Sequence, residues 1–148
     1  MTSKLDILIS EKKGNVPVTI LYLAGELDAK TQKDLQIKAE QVIVEGAQDI
    51  ILDLSGVTYL GSAGLRVMHG IACRLEVAEC GAGIYDEFVR QAEELTNKLK
   101  AGESGTWGRP IHLKLLKPSA EADKVLKALG FDRYFQIYDD LDEAVMSF

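Results

Sequence analysis

Leu5, Ile7 and Ile9 alternate with polar neighbours. After Gly14-Asn15 the run from Val16 to Ala24 alternates again, with Val18, Ile20 and Tyr22 on one face. This predicts two strands joined by a short turn and paired antiparallel. Gly25 is expected to end the second strand, and Asp28 or Thr31 to cap a helix that runs to about Glu45 and stops at Gly46. Thr31 with Asp34 resembles a capping box with the shorter acid. Leu35, Ala39, Val42 and Ile43 form the inward stripe of that helix. The near-continuous apolar run from Ile50 to Leu54 predicts a strand covered on both faces, followed by a small-residue turn.

Past that turn the period changes from two to about 3.6. Leu65, Met68, Ile71, Ala72, Leu75 and Ala78 make one broad stripe, which predicts a helix over 62–79. Ser62, His69, Cys73 and Cys80 project from the opposite side of its wheel. Phe88, Ala92, Leu95 and Leu99 predict a helix over 86–99, and a Gly-rich loop with the sole tryptophan, Trp107, follows. "IHLKLL" alternates as a strand with His112 facing solvent. Pro118 breaks it, and Ser119 caps a helix with Glu121 and Asp123 in its first turn. Gly130 closes that helix, "YFQIY" reads as a short strand, and "DDLDEAVMSF" as a last helix with Asp140 and Glu143 placed as a capping pair. Strands alternating with helices imply an α/β fold: a mixed, mostly parallel sheet of four to five strands with helices packed against it. The stretch 81–110 stands out as a helix/loop insertion, and 1–148 reads as a single domain.

The chain has 148 residues, 47% apolar and 27% charged, the balance of a soluble globular domain with a core of its own. The 17 basic and 23 acidic residues give a net charge of -6, which argues against nucleic acid as a direct partner. No apolar run reaches the roughly 20 residues of a membrane span. The first residues, "MTSKLDILISEKK", lack a secretory pattern. Two cysteines are too few for a disulfide scaffold, so a cytoplasmic setting is the default.

Candidate chemistry centres on Ser62, in "LGSAG". A nucleophile elbow requires G-x-S-x-G, but position 60 is Leu60, and neither His69 nor His112 is placed as a base. No Walker A loop is present, and "GAG" at 81–83 follows a helix rather than a strand, so no cofactor is expected. His69 and Cys73 have the i, i+4 spacing of two zinc ligands, but two ligands do not make a site, and no metal is expected. Nothing pairs Asp28 with Asp53. An enzyme is therefore not the expected reading. Two roles remain open for Ser62. It is a helix cap, or it is a place for a phosphoryl group, whose negative charge suits a helix start and alters a docking surface.

"DLSGVTYLGSAGLRVM", "LYLAGELDAKT" and "KVLKALGFDRYFQIYDDLDEAV", in that order, resemble the recurring segments of STAS domains, the anti-sigma factor antagonists and their relatives. The resemblance implies a STAS-like sheet and a non-enzymatic switch. The unphosphorylated domain would bind an anti-sigma factor or related serine/threonine protein kinase, phosphorylation of Ser62 would release it, and a phosphatase would reverse the change. By motif, Gly25, Glu26, Leu27, Asp28, Thr31, Gly61, Ser62, Ala63, Gly64 and Arg66 would form the docking surface. The alternative is a STAS-type signalling module that binds a small ligand or nucleotide without serine phosphorylation. Gly61 departs from the pattern, which commonly has an acid there. So does the long stretch 81–110, whose helix 86–99 would either cover a sheet edge or form a contact between two copies or with a partner.

Overall fold

The structure, a computed structural model, describes residues 4–76 and 112–148. The expected helix over 86–99, the Trp107 loop and the 81–110 insertion lie outside the described residues. Within them, strands β1 (Leu5–Lys13), β2 (Pro17–Leu27), β3 (Ile50–Leu60), β4 (Leu113–Leu116) and β5 (Ile137–Tyr138) form one sheet in the order β1-β2-β3-β4-β5. The first pair is antiparallel and the other three are parallel. Helices α1 (Gln32–Val44), α2 (Ser62–Glu76), α3 (Ala120–Ala128), α4 (Phe131–Tyr134) and α5 (Leu141–Met146) complete the described chain. The expected fold class is the one observed.

The two faces of the sheet are covered unequally. On one, Leu21, Leu23, Leu52, Leu54 and Leu115 pack with Leu35, Ala39, Leu65, Met68, Ile71, Leu75, Leu126, Phe131 and Phe135. Each such leucine contributes about 2 kcal/mol on leaving water. On the other face Val18, Ile20, Ile51 and Leu116 meet Ala144 and Val145 of α5. β2 is therefore buried on both faces, although its sequence alternates for part of its length.

Several boundaries differ from expectation for local reasons. Gly25 does not end β2; it sits inside the strand with φ 121°, and a Cβ there would lie 2.2 Å from the Lys4 carbonyl oxygen. The small-residue turn expected after Leu54 is instead a bulged continuation of β3. The register slips between Tyr22/Ala24 and again between Gly25/Glu26. At the first slip Asp53 Oδ1 accepts from Ser55 N (3.0 Å) and Ser55 Oγ (2.7 Å). Gly56 fits there because a Cβ would meet the Tyr22 hydroxyl at 2.6 Å and the Leu23 carbonyl at 2.8 Å.

In "YFQIY" only Ile137 and Tyr138 are strand, because Phe131–Tyr134 form a helical turn after Gly130. β4 starts at Leu113, and all four of its residues are buried. Lys114 among them donates to the Ser147 carbonyl (3.0 Å) and hydroxyl (2.9 Å), with its ammonium 4.2 Å from the Phe148 ring centre. His112 precedes the strand, and its Nδ1 lies 2.8 Å from Asp49 Oδ1. The expected caps at Ser119 and Asp140 are in place, accepting from Ala122 N (3.2 Å) and Asp142 N (2.9 Å).

Candidate functional site

β2 and β3 run parallel and finish side by side, with Glu26 opposite Tyr59 and Leu27 opposite Leu60. The Gly61 amide then donates to the Leu27 carbonyl at 2.9 Å, which ties the start of α2 to the end of β2. The Gly61 carbonyl in turn accepts from Gly64 N (3.0 Å) and Leu65 N (3.3 Å), so Gly61 is the capping residue and Ser62 the first residue of the helix. Ser62 is thus not the cap itself. Its side chain is exposed, and among the described residues its hydroxyl makes no hydrogen bond.

The loop between β2 and α1 forms the facing wall. Asp28 Oδ1 accepts from Lys30 N (2.9 Å) and Thr31 N (3.1 Å), an aspartate-closed turn. Thr31 occupies the cap position of α1, but its hydroxyl makes no capping bond and the expected capping box does not form. The hydroxyl instead donates to the Glu26 carbonyl (2.6 Å) and accepts from Asp28 N (3.0 Å). Thr31 is 2% exposed, so it braces the loop from within.

Between these walls lies a shallow depression of about 470 Å³ lined by Glu26, Asp28, Ala29, Lys30, Tyr59, Gly61, Ser62, Ala63 and Arg66. It brings together most of the residues singled out in the sequence. Glu26 and Ser62 are exposed, and Asp28, Gly61 and Arg66 are half-buried. Leu27, Thr31, Ala63 and Gly64 are buried and shape the surface from beneath, while Gly25 lies half-buried in β2. Gly64 is needed for the fit: a Cβ there would stand 2.7 Å from Leu27 Cγ and 3.0 Å from Leu60 Cδ1. Gly61 has more room, with the nearest atom 3.3 Å away on the exposed Tyr59 ring.

Tyr59, Lys30 and Ala29 were missed by sequence reasoning. Tyr59 belonged to a stretch read as a turn, and its outward direction follows only from the bulged strand. A second hollow of about 410 Å³ lies between α1 and α2, with Ala39, Ile43, Val67 and Ile71 among its apolar lining and Lys33, Arg66 and Arg74 among its cations. There Arg74 is bonded to Glu40 at 3.2 Å.

His69 departs from expectation. Its wheel position faced solvent, yet it is 6% exposed, and its ring meets Tyr134 edge-on with centroids 5.2 Å apart. The turn α4 covers a flank of α2 that the sequence left open. Burial pushes the His69 pKa down to about 4, because an imidazolium would lose hydration there. Among the described residues no three His, Cys, Asp or Glu side chains gather as a metal site, and no helix is long and apolar enough to cross a membrane.

An antiparallel-then-parallel five-stranded sheet, with an exposed serine opening the helix after its third strand, is similar to the fold of STAS domains. The STAS domain family model matches residues 9–80. Over 51 residues the chain is 33% identical to the anti-sigma-F factor antagonist RsfB of two strains of Mycobacterium tuberculosis. That stretch is 34% of this chain and 42% of the relative, so the match spans about two fifths of the relative's length. Among solved structures, the fold is similar to an anti-sigma factor antagonist from Mycobacterium paratuberculosis, with TM-score 0.57 and 17% identity over 97% of this chain and 93% of that one. It is also similar to the anti-sigma factor antagonist SpoIIAA in its unphosphorylated form, with TM-score 0.59 and 19% identity over 96% and 93%.

Proposed function

We propose that this protein is an anti-sigma factor antagonist that works by partner switching in the cytoplasm. In its unmodified form it docks through the depression around Ser62 onto an anti-sigma factor that is also a serine/threonine kinase. Phosphorylation of Ser62 by that kinase breaks the complex, and a phosphatase restores it. The protein itself acts by binding, without catalysis. The observation that carries this reading is the placement of Ser62: an exposed hydroxyl on the first residue of α2, in a depression it shares with the small residues Gly61 and Ala63 and the charged Glu26, Asp28, Lys30 and Arg66. A kinase can reach such a hydroxyl.

The local chemistry suits both states. A phosphoryl group brings about -1.5 to -2 charges to a spot where the helix dipole and free N–H groups of the first turn tolerate anions. Lys30 and Arg66 line the same depression as local counter-charges. The same charge and bulk would oppose a partner seated against Glu26 and Asp28. The anti-sigma factor antagonists similar to this chain in sequence and in fold support the partner class.

The test uses the partner kinase, ATP and intact-mass measurement. One phosphate should appear on the wild type and none on Ser62→Ala. Ser62→Asp should weaken capture of the kinase by at least about tenfold, roughly 1.4 kcal/mol. A phosphate on another residue, or undiminished capture by Ser62→Asp, overturns the switch. A small molecule retained in native mass spectra would point to the ligand-binding module instead.

A further inference from the structure

Among the described residues β1 is the sheet's outer strand, and eight of its nine residues are at least partly exposed. Leu8 is 65% exposed and Ile9 42%. Its pairing with β2 fixes which of its main-chain groups β2 leaves unused. Glu26 N donates to the Lys4 carbonyl at 2.9 Å, so Lys4, and by alternation Asp6, Leu8, Ser10 and Lys12, spend their N–H and C=O groups on β2. The corresponding groups of Leu5, Ile7, Ile9, Glu11 and Lys13 point outward. Pro17, opposite Lys13, has no N–H, as expected at a pair that exchanges no hydrogen bonds.

The geometry points to a second copy of this chain as the occupant of that edge, paired antiparallel along β1 about a two-fold axis at Ile9. In this register each outward-facing residue meets another. Ile9 faces the partner's Ile9, Ile7 the partner's Glu11, and Leu5 the partner's Lys13. About ten main-chain hydrogen bonds form, two for each facing pair. The intervening residues set the charge pattern. Asp6 falls opposite the partner's Lys12 twice across the axis, in the closely spaced pairs where opposite charges attract. Within one chain Lys12 also contacts Asp142 of α5, and that carboxylate stays beside the new pair.

Shifting the axis by one residue to Leu8 sets Lys12 against the partner's Lys4, and shifting it to Glu11 sets two carboxylates face to face. Of the axes from Ile7 to Glu11, only the one at Ile9 sets opposite charges face to face, and that pairing favours its register. The Lys4 end of β1 touches the Ser62 depression through Glu26, so antiparallel pairing would place the two depressions at opposite ends of a continuous sheet. The inference is independent of the proposed switch.

Light scattering on the full chain over a concentration series tests this, alongside three sets of variants. The wild type should approach twice the monomer mass at about 100 µM and fall to the monomer on dilution. Ile9→Pro removes an N–H that β2 does not use, so the variant should stay folded and monomeric. Ile9→Cys should cross-link two chains at position 9 on mild oxidation, with Cα atoms about 5.5 Å apart across the axis. Asp6→Lys and Lys12→Asp should each weaken the dimer about tenfold, and the double variant should recover it. A wild type that remains monomeric throughout overturns the proposal. So does a dimer whose Ile9→Cys form gives no cross-link at position 9, whatever the fate of Ile9→Pro.

Discussion

At Gly64, the second glycine after β3, two opposing effects compete. In an exposed helix, glycine to alanine is stabilising by about 1 kcal/mol. Here the new methyl would stand 2.7 Å from Leu27 Cγ, a branch point rather than the far end of a flexible chain, and 3.0 Å from Leu60 Cδ1. Both leucines are fully buried. Overpacking of this kind typically costs 1–3 kcal/mol, so Gly64→Ala should lower stability in urea by about 1 kcal/mol net. Gly61→Ala, 3.3 Å from an exposed tyrosine ring, meets no such clash and should cost only the poorer cap that alanine makes, about 0.5 kcal/mol. An equal effect at the two positions would contradict the close packing of α2 on β2. The sequence placed both glycines next to the serine but could not distinguish them, because the atoms each would strike come from Leu27 and Tyr59, distant along the chain or on an unexpected strand.

Among the elements, the β2–α1 loop depends on Thr31. Its hydroxyl bridges the Glu26 carbonyl and the Asp28 amide, both part of the wall facing Ser62. Thr31→Val keeps the shape and removes both bonds, leaving two main-chain groups without their buried partner, at a cost of about 1–3 kcal/mol. The expected outcome is lower thermal stability together with faster amide exchange at residues 26–32; unchanged exchange there would refute the bracing role. Elements with a long apolar period, α1 and α2, were legible in the sequence, as were the strands β1, β2 and β4, whose patterns are short but clear. The end of β3 was not, because Ser55 and Gly56 are turn residues by type and serve here to form a bulge. Nor was α4, since "YFQIY" is aromatic-rich and resembles a strand by composition, while Gly130 at φ 79° turns the chain into a short helix first.

Over the whole molecule, packing decides which polar groups are enclosed. The wheel of α2 assumed one covered side, and α4 supplies a second, which encloses His69. The consequence is a pH dependence with a definite sign. The unfolded histidine titrates near its ordinary value of 6.5, and the folded one at about 4. Between those values the unfolded chain binds more protons, so stability is fully present above pH 6.5 and is lost as pH falls toward 4. The loss attributable to this group is on the order of 3 kcal/mol. Urea titrations from pH 7 to 4 should show that decline, and His69→Phe should flatten it relative to wild type. A wild type and variant with parallel pH profiles would exclude His69 as the cause. The Ser62 depression was largely legible because its motif residues lie on two loops that neighbouring parallel strands bring together, whereas the burial of His69 depends on a contact 65 positions along the chain, between His69 and Tyr134.

The single carbonyl by which Lys4 holds Glu26 gives the chain's opening residues leverage on a distant-looking place. Whatever pulls on the polypeptide just ahead of Leu5, whether a fused tag, a tether or a nibbling protease, acts through this bond on the lip of the serine's hollow.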